Sequence, residues 1–211
     1  MIENLSKYIP KNAVELVDKI LTNHPIKIKI VNNRTTKHGD FKKFKNGSLQ
    51  ITINKSLNEY QFLLTLIHEI AHLVTYKQSK RVKPHGIEWK QNFQHLMLPF
   101  LQPTIYSQKM LPYLANYLKN PKASTGADVN LTYALKQYDE MSGKSFIFEL
   151  QHGSIFTFND KTYKKGNKRR TRFECLELTS NKSYLFNQNA EVKLHNESLI
   201  EELIPIKINQ G

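Results

Sequence analysis

Apolar and polar positions change their period several times along this chain, and each change marks an element. Between Lys11 and Asn23, Val14, Val17 and Leu21 follow the i, i+3, i+7 spacing of an amphipathic helix, with Ala13, Leu16 and Ile20 beside them. Pro25 stops that helix. Ile26-Lys27-Ile28-Lys29-Ile30 then alternates with period two, as a half-buried strand does. After a polar loop over 32–39, the arms 41–45 and 48–53 flank Asn46-Gly47, which predicts a tight hairpin. Ser56, with Glu59 three residues later, reads as the capping box of a helix from Leu57 to about Thr75. Its apolar residues, from Phe62 to Val74, cover most of the circumference and predict a buried helix. A helix over 87–98 carries Trp89, Phe93, Leu96 and Met97, and a short one over 111–118 places Pro112 in its first turn.

The pattern shifts after residue 120. Residues 122–128 are small, polar and Gly-containing, as linkers are, and a short helical stretch follows near 131–138. Segments 146–150, 155–158, 172–178 and 184–186 then read as short strands joined by turns. The fold class expected is α+β. Residues 1–120 would form a helix-and-sheet domain, 121–141 a linker with a short helix, and 142–211 a small β-rich module. The stretch 195–211 turns acidic and then apolar and is a candidate final strand.

Composition narrows the setting. The 211 residues carry a net charge of +13, which favours polyanionic partners such as DNA or RNA. The densest basic run supplies Lys164, Lys165, Lys168, Arg169, Arg170 and Arg172 as candidate phosphate contacts. Phe156, Phe158, Tyr163 and Phe173 lie nearby as candidate base-stacking groups. The competing reading is a solvated hairpin whose aromatics face a core. Cys175 is the one cysteine, which excludes an internal disulfide framework and any multi-cysteine zinc knuckle. No signal peptide is expected from the first residues, and the apolar run 62–74 is too short to span a bilayer. These features predict a cytoplasmic protein without a membrane partner; they do not bear on oligomeric state.

The strongest chemical signal is His68-Glu69-Ile70-Ala71-His72. Residues four apart on a helix lie about 40° apart around its axis, so both imidazoles can meet one metal ion. Glu69, rotated by roughly 100°, can stand beside a water at the open position of a catalytic zinc and take its proton. Burying two histidines and a carboxylate on an apolar helix without a shared partner would be costly. A catalytic zinc needs a third protein ligand. His85 is the best candidate, placed after a loop and before Gly86; Glu88 is a second. Tyr76, Arg81 and Lys83 are undifferentiated candidates for stabilising an oxyanion.

The segment 64–72, followed by Pro84-His85-Gly86-Ile87-Glu88-Trp89-Lys90, resembles the SprT-like family of zinc metallopeptidase domains. The likeness covers roughly residues 5–100. It implies one catalytic Zn2+ held by His68, His72 and His85, Glu69 as general base, and a zincin-like domain with a small antiparallel sheet beside the active-site helix. It also implies a protein or peptide substrate; Spartan proteases, similar in this core, cleave proteins crosslinked to DNA. Many family members carry a four-cysteine zinc ribbon, which the lone Cys175 cannot form. The leading expectation is a zinc-dependent metallopeptidase acting on nucleic-acid-associated proteins. The alternatives are a nucleic-acid-binding or adaptor protein with a structural or vestigial zinc site, and a small-substrate zinc hydrolase.

Overall fold

The structure, a computed structural model, describes residues 2–34, 36–79, 82–139 and 143–195. The chain divides into two compact units, Met1–Glu140 and Met141–Gly211. Helices and sheets are mixed, as an α+β class requires. Among the described residues no helix is long and apolar enough to cross a membrane.

The first unit begins with α1 (Ile2–Leu5), too short for any periodicity to announce it. A 3-10 turn at Lys11–Ala13 leads into α2 (Val14–Asn23), which buries Val17 and Leu21. Three strands follow: β1 (Lys27–Val31), β2 (Gly39–Lys43) and β3 (Leu49–Asn54). The expected hairpin joins β2 to β3, with Gly47 in its turn at φ +82°. β1 pairs with β3 in parallel, so the sheet is mixed rather than the antiparallel one that the resemblance implied. The cause is topological. The tight turn returns β3 between β2 and β1, so the chain leaving β1 must first cross the end of β3.

Asn54, at that end and fully buried, holds the crossing. Its side-chain amide donates to Asn33 Oδ1 (3.1 Å), Arg34 O (3.1 Å) and Lys37 O (2.9 Å), while its Oδ1 accepts from Arg34 Nε (2.8 Å). A buried amide satisfied this fully fixes the loop backbone leading to β2.

Against this sheet packs α3 (Glu59–Gln78), with Phe62, Leu63, Leu64, Leu66 and Ile67 all sealed from solvent. Its N-cap is Asn58 rather than Ser56: Asn58 Oδ1 accepts from Gln61 N–H at 2.9 Å. A tertiary reason favours Asn58, because its Nδ2 also reaches Leu135 O (3.0 Å) and Asp139 Oδ1 (2.5 Å). A cap chosen by contacts 77 and 81 residues away is invisible to local pattern.

Along α3 lies α4 (Ile87–Met97), which buries Trp89, Phe93 and Met97. The helices α5 (Leu111–Lys119) and α6 (Val129–Lys136) add Leu114, Tyr117, Leu118, Leu131 and Leu135 to the same core. The stretch 121–139 is therefore no free linker: α6 is capped by Asp128 and packed into the first unit.

Among the described residues the second unit forms a six-stranded antiparallel sheet. Its strands are β4 (Ser145–Phe146), β5 (Ile155–Phe158), β6 (Lys161–Arg169), β7 (Arg172–Glu177), β8 (Ser183–Asn187) and β9 (Glu191–Leu194). They lie in the order β4-β9-β5-β6-β7-β8. The expected strand over 146–150 stops at Phe146, where a 3-10 turn (Ile147–Glu149) begins. Glu149 Oε2 accepts from Phe146 N–H at 2.6 Å, drawing the backbone into that turn. The candidate final strand beyond His195 lies outside the described residues.

The basic run is itself a strand, β6, and this corrects the reading of its side chains. Phe156 and Tyr163 are buried in the core of the second unit, and Phe158 and Phe173 pack against it. Phe156 and Tyr163 are thus not presented for stacking on bases, whereas Phe158 and Phe173 are half-buried. Lys165 points inward too: its amine donates to Leu150 O and lies 4.1 Å from the Phe173 ring centre. Lys164, Lys168, Arg169, Arg170 and Arg172 are exposed, with Arg169 paired to Glu174 at 2.9 Å.

Candidate metal centre

Two turns of α3 and one loop residue build the centre. His68 and His72 project from successive turns, and the loop after α3 returns His85 to meet them. His85 sits in the left-handed backbone region at φ +57°, an uncommon conformation for a residue with a side chain. Gly86 follows with its N–H bonded to Lys83 O at 2.9 Å. A Cβ at Gly86 would lie 2.9 Å from that same carbonyl, so the close turn that aims His85 requires glycine.

The three ligand atoms lie within 4.8 Å of one another. His85 Nε2 is 3.2 Å from His68 Nε2 and 3.0 Å from His72 Nε2. Two nitrogens bound to one tetrahedral ion at about 2.0–2.1 Å would stand about 3.3–3.4 Å apart, close to this spacing. Hydrogen bonding alone explains the convergence poorly. An imidazole nitrogen carries one proton or one lone pair and cannot serve two like neighbours well. A cation accepts all three lone pairs, so the donor set fits a metal ion.

Electrostatics keep those lone pairs free. Burial, and then the neighbouring His72 and His85, push His68 down to about 3. Burial and then His85 take His72 down to about 4, against the pull of Asp40. Burial lowers His85 as well. Trp89 packs its ring against all three imidazoles, with centres 4.6, 5.3 and 4.7 Å from His68, His72 and His85. An indole at that place fixes the ring planes without competing for the metal.

Glu69, 6% exposed, faces the sheet rather than the triad's own donor set. Burial, and then Asp40, push its carboxyl up to about 8, although Phe41 N–H donates to it and Arg34 and Lys37 oppose the shift. Gly39, the first residue of β2, makes room for it. A Cβ there would approach Glu69 Oε1 and Thr65 Cγ2 to 2.7 Å each. His68 and Glu69 form the floor of an open cleft of about 290 Å3, with Thr65 beside them and Gly39 on one wall.

The structure thus brings His68, His72, His85 and Glu69 into one region. Glu88 is exposed and outside the ligand cluster. Of the oxyanion candidates, Tyr76 packs against Phe41 with ring centres 6.0 Å apart, and Arg81 lies outside the described residues. Two contributors had not been singled out. Gly39 carried a faint signal, since glycine at a strand often marks a close approach. Asn54 carried none.

Comparison with known proteins agrees with this geometry. Residues 9–107 match the SprT-like family. Protein SprT of Yersinia enterocolitica serotype O:8 / biotype 1B is 39% identical over 54 residues, covering 24% of this chain and 32% of that protein. The chain thus spans about a third of the length of the curated relative it matches. No solved structure gives a significant match. The segment 9–107, which holds the three histidines and Glu69, is thus the part of the chain that is similar to the SprT-like family.

Proposed function

We propose that the protein is a zinc-dependent metallopeptidase with a zincin-like catalytic core. The observation that carries this reading is the convergence of three imidazoles, one of which, His68, lines an open cleft together with the buried carboxylate of Glu69. His68, His72 and His85 would hold the ion through Nε2. Among the described residues they form the single cluster able to do so, which leaves one tetrahedral position for water or substrate. Bound zinc would supply Lewis-acid chemistry, acidifying a water and polarising a carbonyl oxygen. Glu69 takes the proton from the attacking water and returns it to the leaving nitrogen. The N–H of Phe41 orients the carboxylate, and Gly39 leaves the space it occupies.

A structural zinc site would call for four protein ligands, which disfavours the adaptor reading. The exposed Lys164, Lys168, Arg170 and Arg172 support a nucleic-acid role for the second unit, through phosphate contacts alone. One assay addresses both parts. Zinc-loaded protein is incubated with a DNA-binding protein substrate, with and without single- or double-stranded DNA. Cleavage abolished by a chelator and restored by zinc is the expected result, with DNA raising the rate. Absence of cleavage with zinc bound would overturn the peptidase reading, and a rate indifferent to DNA would overturn the nucleic-acid part.

Gly39→Ala tests the catalytic arrangement from the sheet side. The new methyl must displace the Glu69 carboxylate, because β2 is held by its pairing with β3. Misplacement of a reacting group by about 1 Å costs roughly 10²-fold in rate. Hydrolysis should fall by about that factor with zinc content unchanged, as read by metal analysis beside the rate. Full activity in this variant would show that Glu69 does not act from the position described.

A further inference from the structure

The cleft has a second wall, and it comes from the stretch between α5 and α6, beyond the family match at 9–107. Ala123, Ser124 and Gly126 face Gly39 across the floor that holds His68 and Glu69. This strap is fastened at both ends. Tyr117 OH donates to Lys122 O at 3.0 Å, Lys122 Nζ reaches Ala127 O at 3.1 Å, and Ala127 N–H bonds Ser124 O at 3.1 Å. Asp128 then caps α6 by accepting from Leu131 N–H at 3.0 Å. A strap tied this way is a fixed wall.

The chemistry of the lining is unusual for a binding cleft. Among the described residues no valine, leucine, isoleucine, methionine or aromatic side chain other than histidine contributes to it. Thr36, His38 and Ser124 line it with polar side chains, beside a Lys37 paired to Asp40 at 2.9 Å and a Thr65 whose hydroxyl accepts from Gln61 Nε2 at 3.5 Å. Ligand pockets are ordinarily lined mainly by apolar and aromatic groups. An aromatic or aliphatic side chain entering here would find little more than Ala123 and threonine methyls to pack on and would strip water from polar groups it cannot bond. A hydroxyl or carboxamide side chain could bond them.

We infer that the strap 122–128 forms, with Gly39 and Thr65, a subsite that receives a polar, uncharged substrate side chain (Ser, Thr, Asn or Gln) next to the reacting bond. The inference rests on the peptidase reading for its substrate, but its recognition step needs no hydrolysis. Gly126 is the position that controls the space. A Cβ there meets only Ser124 Oγ, at 3.5 Å, and its backbone is outside the positive-φ region that disfavours side chains. Gly126→Phe should therefore fold while adding bulk to the strap's side of the cleft.

The test uses binding by zinc-loaded Glu69→Gln protein, which removes turnover. The probes are two fluorescein-labelled decapeptides of alternating Gly and X, with X either Gln or Phe, followed by fluorescence anisotropy. The Gln peptide should bind about tenfold or more tighter than the Phe peptide, a difference of about 1.4 kcal/mol. Adding Gly126→Phe should weaken the Gln peptide by a similar factor, and Ser124→Ala should narrow the preference several-fold without any added bulk. Equal binding of the two peptides, binding of neither, or a preference unmoved by both strap variants would overturn the inference. Selective binding by a protein whose parent cleaves nothing would uphold the subsite while removing the peptidase reading.

Discussion

Glu69→Gln is expected to lower hydrolysis by about 10²–10⁴-fold while leaving zinc in place, the range that general acid–base groups contribute. The substitution keeps the shape of the side chain, so the fit against Gly39 and Thr65 survives. It removes the carboxylate that can accept a proton beside the triad. Rate and metal content measured on one preparation settle the point; an unchanged rate would remove Glu69 from the mechanism.

The same variant carries a stability signature in the metal-free protein. The unfolded carboxyl releases its proton near 4.5, whereas burial holds the folded one up to about 8. Between those values the folded state binds more protons, so the wild-type fold loses stability as pH rises through that window and levels off above 8. The loss is on the order of a few kcal/mol. The histidines act in the opposite sense. With His68 and His72 depressed to about 3 and about 4, their contribution is full above 6.5 and is lost as pH falls towards those values. Metal-free Glu69→Gln should therefore unfold at a higher denaturant concentration than the parent at pH 8–9, with the gap closing near pH 4.5. A gap independent of pH would mean that the carboxylate is not desolvated.

His85→Ala is expected to weaken zinc binding by roughly 10²–10³-fold. Structural zinc sites bind with about 10–16 kcal/mol over four ligands, or roughly 2.5–4 kcal/mol for each. His85 comes from a loop rather than from α3, and its removal leaves α3 and its core untouched. Alanine keeps the Cβ and with it the left-handed backbone cost at position 85, so the apo fold should change little in stability. Competition against a chromophoric chelator gives the affinity, and thermal unfolding of the apo forms gives the control. An affinity within threefold of the parent would exclude His85 as a ligand.

Much of this arrangement was legible in the sequence, for reasons that differ by residue. His68, Glu69 and His72 are close in sequence on one helix, so helical geometry alone places them. His85 needed the second motif, because its approach depends on a loop and on the glycine after it. The β2–β3 hairpin followed from Asn46-Gly47, but the parallel pairing of β1 did not, since alternation fixes a strand's faces and not its neighbour. Asn58 and Asn54 act through partners distant in the chain, and composition gives no hint of them. In the second unit the aromatics around the basic run were misread because charge density hid a strand: Tyr163 and Lys165 alternate inward among residues that are mostly cationic. The strap 122–128 looked like a linker because small polar residues serve a cleft wall as readily as a tether.

The central claim is that His68, His72 and His85 hold one zinc ion in a site left open at its fourth position. Zinc K-edge X-ray absorption of the loaded, full-length protein measures this most directly. The account predicts one zinc per chain, with three imidazole nitrogens and one further light-atom ligand at about 2.0–2.1 Å. A sulfur shell from Cys175, a fourth imidazole, or a shell of oxygens without imidazole scattering would contradict it.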